Sequence, residues 1–369
     1  MTQQQPFYFR FTMVLLMLAL IAAFIFLGSD LVVPFAMSML IAILLMPICN
    51  FLQRKGLPRA VSILLALLAA ALFAGGIIYF LSSQIASFLN DFDQIKKGIN
   101  VHLATVQRWI RQQFGVSFRE QEDMFNNFLT SMKSSGHGAI GSTFSSITSL
   151  LASLTLLPIY TFLLLYYRGL IRQFFIDVFS KTPKNEVATI LNESRIVVQS
   201  YMIGLIIELI IVATINSIGF LILGIKYAIF LAVFAAILNI LPYIGMLIAS
   251  IFCMAITLTT STDIREPIWV LVVLLIVQFI DNNIIMPKVV GSKVKLNALM
   301  TIVGVIVGGL LCGISGMFLS IPAIAILKII FDRIEDLKPW GRLLGDENDS
   351  ATKSKAKGAR KKRQPATEA

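Results

Sequence analysis

Glu208 and Asp281 are acidic residues set inside long apolar runs, the first about a third of the way along Tyr201–Leu223 and the second near the end of Pro267–Met286. A charge held at membrane depth costs ~3 kcal/mol on insertion scales, so an ionisable group kept there needs a compensating role. Gln278, Asp281, Asn282 and Asn283 cluster at one end of their run, and Gln278 and Asp281 are spaced to share a helical face. Asn216 adds an amide to the run that holds Glu208. Carboxyls and amides in this setting suit a monovalent cation, a proton or a small polar solute. Plainer roles compete with that reading. Glu208 could lock two helices as a neutral hydrogen-bonded group, Asp281 could cap a helix or pair with Lys288, and Asn216 and Asn239 could bond helices together.

Backbone breaks are the second chemical feature. Leu241-Pro242-Tyr243-Ile244-Gly245 interrupts the apolar stretch Tyr227–Leu258, and Gly308-Gly309 with Gly313-Ile314-Ser315-Gly316 interrupts Ala298–Ile330. A broken helix exposes N–H and C=O groups that can coordinate a solute. Pro242, Gly245, Gly313 and Gly316 therefore join the candidate pathway residues, although the same residues could serve only as kinks and packing points. No nucleophilic triad, phosphate loop, HExxH pattern or metal cluster stands in the chain. No catalytic residue, cofactor or metal site is expected, and an enzyme reading has little support.

These residues need a scaffold, and composition says which kind. The chain of 369 residues is 57% hydrophobic and only 14% charged, with a mean hydropathy of +0.83. Soluble domains are about half apolar and about a quarter charged. The apolar residues fall in runs near the ~20 residues that span a bilayer. Cys49, Cys253 and Cys312 all lie in such runs, are odd in number and lack ligand spacing, so neither disulfide nor metal is expected. The net charge of +11 is concentrated in a tail carrying Lys353, Lys355, Lys357, Arg360, Lys361, Lys362 and Arg363. Beside a membrane that tail reads as a cytoplasmic topology marker or an anionic-lipid contact. Nothing resembling a nucleic-acid reading module accompanies it, so nucleic acid is not an expected partner.

The expected fold is all-α and polytopic. Residues 1–82 hold three spans, and 83–144 form an extramembrane insertion of amphipathic helices. A span follows at 145–167, then a cytoplasmic-side helical segment at 168–200 and a transport core at 201–335 with two broken-helix segments. Residues 336–369 are a basic, disordered cytoplasmic tail. With the N-terminus inside, Arg54, Lys55, Arg59, Arg168, Arg172, Lys181 and Lys184 all fall on the cytoplasmic side. Reading both broken segments as hairpins also puts Lys288, Lys293, Lys295 and the basic tail inside. This gives about six full spans plus two re-entrant hairpins; eight full spans is the alternative, and it leaves one basic loop outside. The hairpin reading makes an inverted-topology pair, echoed by Gly224-Ile225-Lys226 against Gly291-Ser292-Lys293 and by Gly245-Met246 against Gly316-Met317.

The segment Leu241–Gly245, the run Gln278-Phe279-Ile280-Asp281-Asn282-Asn283-Ile284-Ile285-Met286-Pro287-Lys288-Val289-Val290-Gly291, and the stretch from Gly308-Gly309 through Gly313-Ile314-Ser315-Gly316-Met317 to Ile321-Pro322 have a familiar order. In these motifs the chain resembles the autoinducer-2 exporter family of bacterial permeases, over about residues 8 to 335. The resemblance implies an inner-membrane, homo-oligomeric permease; the placement of the basic loops and tail puts both termini on the cytoplasmic side. It associates the chain with export of the signal autoinducer-2, or with sodium/proton antiport. It also marks Pro242, Gly245, Gln278, Asp281, Asn283, Pro287 and Gly291 as motif positions. Where the family pattern carries a proline after the second motif, Leu296-Asn297-Ala298 has alanine.

Three functions remain open: a secondary transporter exporting a small polar solute, a monovalent cation (sodium or lithium)/proton antiporter, and a membrane scaffold without transport. Partners follow from these: the lipid bilayer, a small polar solute, and a coupling ion.

Overall fold

Every described stretch of regular structure is helical, as runs of Leu, Ile, Ala and Phe at near-bilayer length require when backbone groups must be satisfied within the segment. The computed structural model describes residues 6–90, 155–179, 183–241, 244–261, 263, 265–291 and 296–345. Most of the expected insertion, with His102 and His137, lies outside the described residues, as do Pro242, Lys293, Lys295 and the basic tail.

In chain order the helices are α1 (Phe7–Leu27), α2 (Ser29–Arg54), α3 (Arg59–Asn90), α4 (Thr155–Tyr166), α5 (Arg168–Val178) and α6 (Lys184–Ile222). They continue with α7 (Ala228–Asn239), α8 (Ile244–Thr260), α9 (Arg265–Ile280), α10 (Ala298–Arg333) and α11 (Lys338–Leu344). Two wide π turns, Asp281–Ile285 and Pro287–Gly291, prolong α9. Among the described residues, five helices are long and apolar enough to cross a membrane, and four shorter apolar helices accompany them. Large apolar side chains such as Leu18, Leu72, Ile251 and Leu310 are exposed on their outer faces. That is the reverse of a soluble surface, and lipid is the solvent such a surface fits. The chain is a multi-pass, all-α membrane protein.

The chain divides into two compact units. The first comprises Met1–Ala66, Leu156–Leu205 and Lys288–Ala369. Here α4 packs on α2 through small polar groups. The Ser38 hydroxyl, fully buried, bonds the carbonyls of Pro34 and Leu157 at 2.7 and 3.1 Å, and Thr161 bonds Leu157 from the next turn. Cys49, Ile63, Ala66 and Leu165 fill the adjoining core.

The same unit contains α10, whose 36 residues would run ~54 Å if straight, against ~30 Å of hydrocarbon. Instead the backbone leaves helical geometry at Cys312 and at Gly313, where φ is +60°, a value glycine takes without strain. The chain reverses there. Cβ atoms built at Gly304 and Gly308 would meet Ile324 and Ser320, and one at Gly316 would collide with the Gly308 carbonyl oxygen. The two arms are therefore antiparallel and touch backbone to backbone. Entry to the first arm is set by Asn297, whose side chain accepts from the Leu299 amide. Ala298 thus occupies the first helical position, and the Asn297 side chain caps the free amides of the first turn.

The second unit comprises Leu67–Thr155 and Ile206–Pro287. Helix α6 ends at Gly224, left-handed at φ +70°, where Gly224 and Ile225 amides bond back to Leu221 and Phe220, a Schellman stop. The chain then enters α7 and α8, of 12 and 17 residues, each shorter than the ~20 of a full crossing. They too form an antiparallel hairpin: Phe234 stacks on Phe252 at 4.2 Å, and the Cys253 thiol approaches the Leu231 carbonyl. Near the tip, a Cβ at Gly245 would collide with the Leu238 carbonyl oxygen. Phe220, Phe230, Leu231, Cys253, Val270 and Leu274 form the core between α6, the hairpin and α9.

Candidate functional site

The second unit brings three polar side chains from separate helices to one buried point. Glu208 comes from α6, Asn239 from the last turn of α7, and Asp281 from the first residue of the wide turn after α9. The Asn239 amide donates to Asp281 Oδ2 at 2.9 Å. The Glu208 and Asp281 carboxyls are near enough for each to bear electrostatically on the other. Both are buried, at 7% and 2% exposure.

Local sequence explains each placement. Asn239 ends an Ala- and Phe-rich helix three residues before Pro242, so its side chain sits at the hairpin tip where the helix must stop. At Asp281 the helix widens to π geometry, which shifts the facing of the residues that follow; such π turns recur at functional sites.

Oxygens at this point outnumber donors. Glu208 Oε2 and Asp281 Oδ1 are buried without a hydrogen-bond partner among the described residues. Two carboxyls side by side, away from water, repel unless a positive charge lies between them. A proton or a small monovalent cation meets that need, and the neighbouring amide can orient one carboxyl while the other binds.

The remaining candidates are distributed differently. Asn216 is buried at 2% with its Oδ1 unpartnered, but it lies on α6 about 12 Å beyond Glu208 along the axis. Gln278 does not pair with Asp281: its amide donates to Asn282 Oδ1 at 3.0 Å, and Asn283 bonds the Phe279 carbonyl, both away from the buried acid. Gly245 packs against the backbone of Leu238 and Asn239 at the hairpin tip, while Pro287 and Gly291 bound the second π turn. Gly313 and Gly316 belong to the α10 hairpin in the first unit. Asn239 is the member that sequence reading leaves outside the candidate set, treating it as glue between helices. Its signal is position, since an amide just before a helix-breaking proline stands at the same place as the break.

The family model described as AI-2E family transporter matches residues 14–336. Relatives agree over most of the length. The "Putative transport protein YrrI" of Bacillus subtilis (strain 168) is 26% identical over 315 residues, covering 81% of this chain and 85% of that one. The "AI-2 transport protein TqsA" of Escherichia coli (strain K12) is 23% identical over 337 residues, covering 90% and 94%. A match running from the first span to beyond the second hairpin makes this chain a member of the AI-2E family of transporters, a membrane transport protein.

Proposed function

We propose that the protein is a secondary transporter of a bacterial inner membrane that exports a small polar solute of the autoinducer-2 kind, using Glu208, Asp281 and Asn239 to handle a coupling ion. The observation that carries this is the buried carboxyl pair beside the tip of a broken-helix hairpin. A hairpin tip offers backbone groups to a solute, and the acids offer a charge that must be neutralised before the site can move or close. The name of TqsA supports autoinducer-2 as the solute class to try first. Homo-oligomeric assembly, cytoplasmic termini and re-entry of both hairpins from one face each belong to this proposal. So does the bearing of the outlying candidates Asn216, Gln278, Asn282 and Asn283 on the solute path.

A second reading, monovalent cation/proton antiport, is favoured by the unpartnered carboxylate oxygens, which form a better cation site than a sugar-like solute site. Flux separates the two. Purified protein in liposomes holding a pH-sensitive dye, under an imposed proton gradient, is expected to give a proton signal when the furanosyl signal molecule is added. A signal evoked by sodium or lithium alone assigns antiport. Silence toward all three from folded protein removes both readings.

Asn239 supplies a further check. Asn239→Leu keeps the size and the helix end but removes the donor to Asp281 Oδ2, leaving a buried oxygen unsatisfied. Flux is expected to fall several-fold, and Asn239→Gln is expected to recover part of it. An unchanged rate in the leucine variant removes Asn239 from the site.

A further inference from the structure

At one end of the first unit three arginines converge without an acid among them. Arg168, which opens α5, donates to Asn50 Oδ1 at 2.7 Å and to Gln53 Oε1 at 3.1 Å, both on α2. Arg59, which opens α3, donates to the Leu165 carbonyl at 3.1 Å and lies over the Tyr166 ring. Arg195 approaches from α6. Burial holds the Arg168 guanidinium below the usual arginine range, and the charges of Arg59 and Arg195 push it down further. Two acids on the same helices are engaged by other groups: Glu193, one half-turn from Arg195, is paired with Arg333, and Asp177 accepts from Gln173.

Two donors among these side chains, Arg195 Nε and Gln53 Nε2, are buried and have no acceptor among the described residues. The Gln53 amide has its oxygen fixed by Arg168, so its NH₂ group is presented in a set direction. Unpaired buried donors beside clustered guanidiniums suit an acceptor-rich anion such as a phosphate. The carboxyl pair of the second unit, rich in acceptors, suits the opposite charge.

The surroundings say where the anion comes from. Helix α5 follows directly on α4 and is amphipathic, with Arg168, Arg172, Gln173 and Asp177 on one side. Its other side presents Leu170 and Phe174, 67% and 57% exposed, and Tyr166 and Tyr167 flank its start. A short helix of this make, at the end of a span and bordered by tyrosines, lies in the membrane interface with its apolar face among acyl chains. That is the depth of lipid headgroups.

We propose that Arg59, Arg168 and Arg195, with the side-chain amide of Gln53, bind the phosphate of an anionic phospholipid at the membrane surface, the apolar face of α5 lying against its acyl chains. The lipid pins the ends of α2, α3 and α5 to the first half of α6 by completing the hydrogen bonds that Gln53 and Arg195 leave open. The guanidinium fork matters as well as its charge, because phosphate is held best by paired N–H groups.

The test is native mass spectrometry of the full-length protein in detergent, titrated with phosphatidylglycerol, with phosphatidylcholine, and separately with inorganic phosphate. The comparison is wild type against Arg168→Gln/Arg195→Gln, and against Arg59→Gln, a milder change at an exposed residue that keeps the test alive if the double variant fails to fold. The basic tail is present in every sample, so its own attraction for anionic lipid cancels. Wild type is expected to hold phosphatidylglycerol at least tenfold more tightly than either variant, a loss of the order expected for charge-assisted hydrogen bonds. Phosphatidylcholine is expected to show no such difference. Equal phosphatidylglycerol binding by wild type and Arg59→Gln overturns the site. Saturation by inorganic phosphate alone, abolished in the variants, overturns the lipid as its source.

Discussion

Glu208→Gln and Asp281→Asn are each expected to lower transport at least tenfold, ~1.4 kcal/mol in barrier terms, while leaving the protein folded and in the membrane. Both changes keep the shape and a hydrogen-bonding oxygen and remove only the ability to carry negative charge. In the Asp281→Asn protein the new carboxamide still faces the Asn239 amide with an acceptor, so the contact at the hairpin tip survives. What is lost is the paired carboxyl arrangement, which alone in this cluster can exchange a proton or hold a cation. Because the two acids act as one unit, the double variant is expected to be no worse than the poorer single variant. Initial rates in proteoliposomes, normalised to monodisperse protein, supply the measurement. Full flux in both single variants would remove ion coupling from this pair and leave family membership untouched.

The second large effect concerns stability. Gly316→Leu is expected to cost ~3 kcal/mol or more and to lower the yield of monodisperse protein sharply. The atom that a side chain would meet is the Gly308 carbonyl oxygen, and backbone cannot rotate aside as a side chain can. Gly308→Leu meets the Gly316 carbonyl from the opposite arm and should behave alike. Either change forces the arms of the α10 hairpin apart. Gly76→Ala is the contrasting case, since nothing lies within 4 Å of a Cβ there, and alanine is the better helix former by ~1 kcal/mol. Thermal unfolding in detergent, followed by size exclusion, ranks the three. A Gly316→Leu protein as stable as wild type would mean that the arms do not rely on this contact.

Much of this molecule is local and therefore readable in one dimension. Apolar runs of bilayer length declare helices because a helix satisfies its backbone groups within the segment, and Pro242 and Gly313 declare breaks because each perturbs a single helix. The acids Glu208 and Asp281 declare themselves by their cost alone. The continuous helix from Lys184 to Ile222 is harder to see, because polarity changes near residue 200 while nothing there breaks the backbone. Only the tertiary structure could bring Glu208, Asn239 and Asp281 to one point, since that meeting depends on how α6, the α7–α8 hairpin and α9 pack and not on any spacing along the chain. The same holds for Gln278, which helical spacing allows to face Asp281 but which bonds Asn282, one turn on, while Asp281 turns to a donor from another helix. The arginine cluster is likewise scattered over three separate basic positions along the chain, and it becomes a site only where packing removes its acids and leaves its donors open.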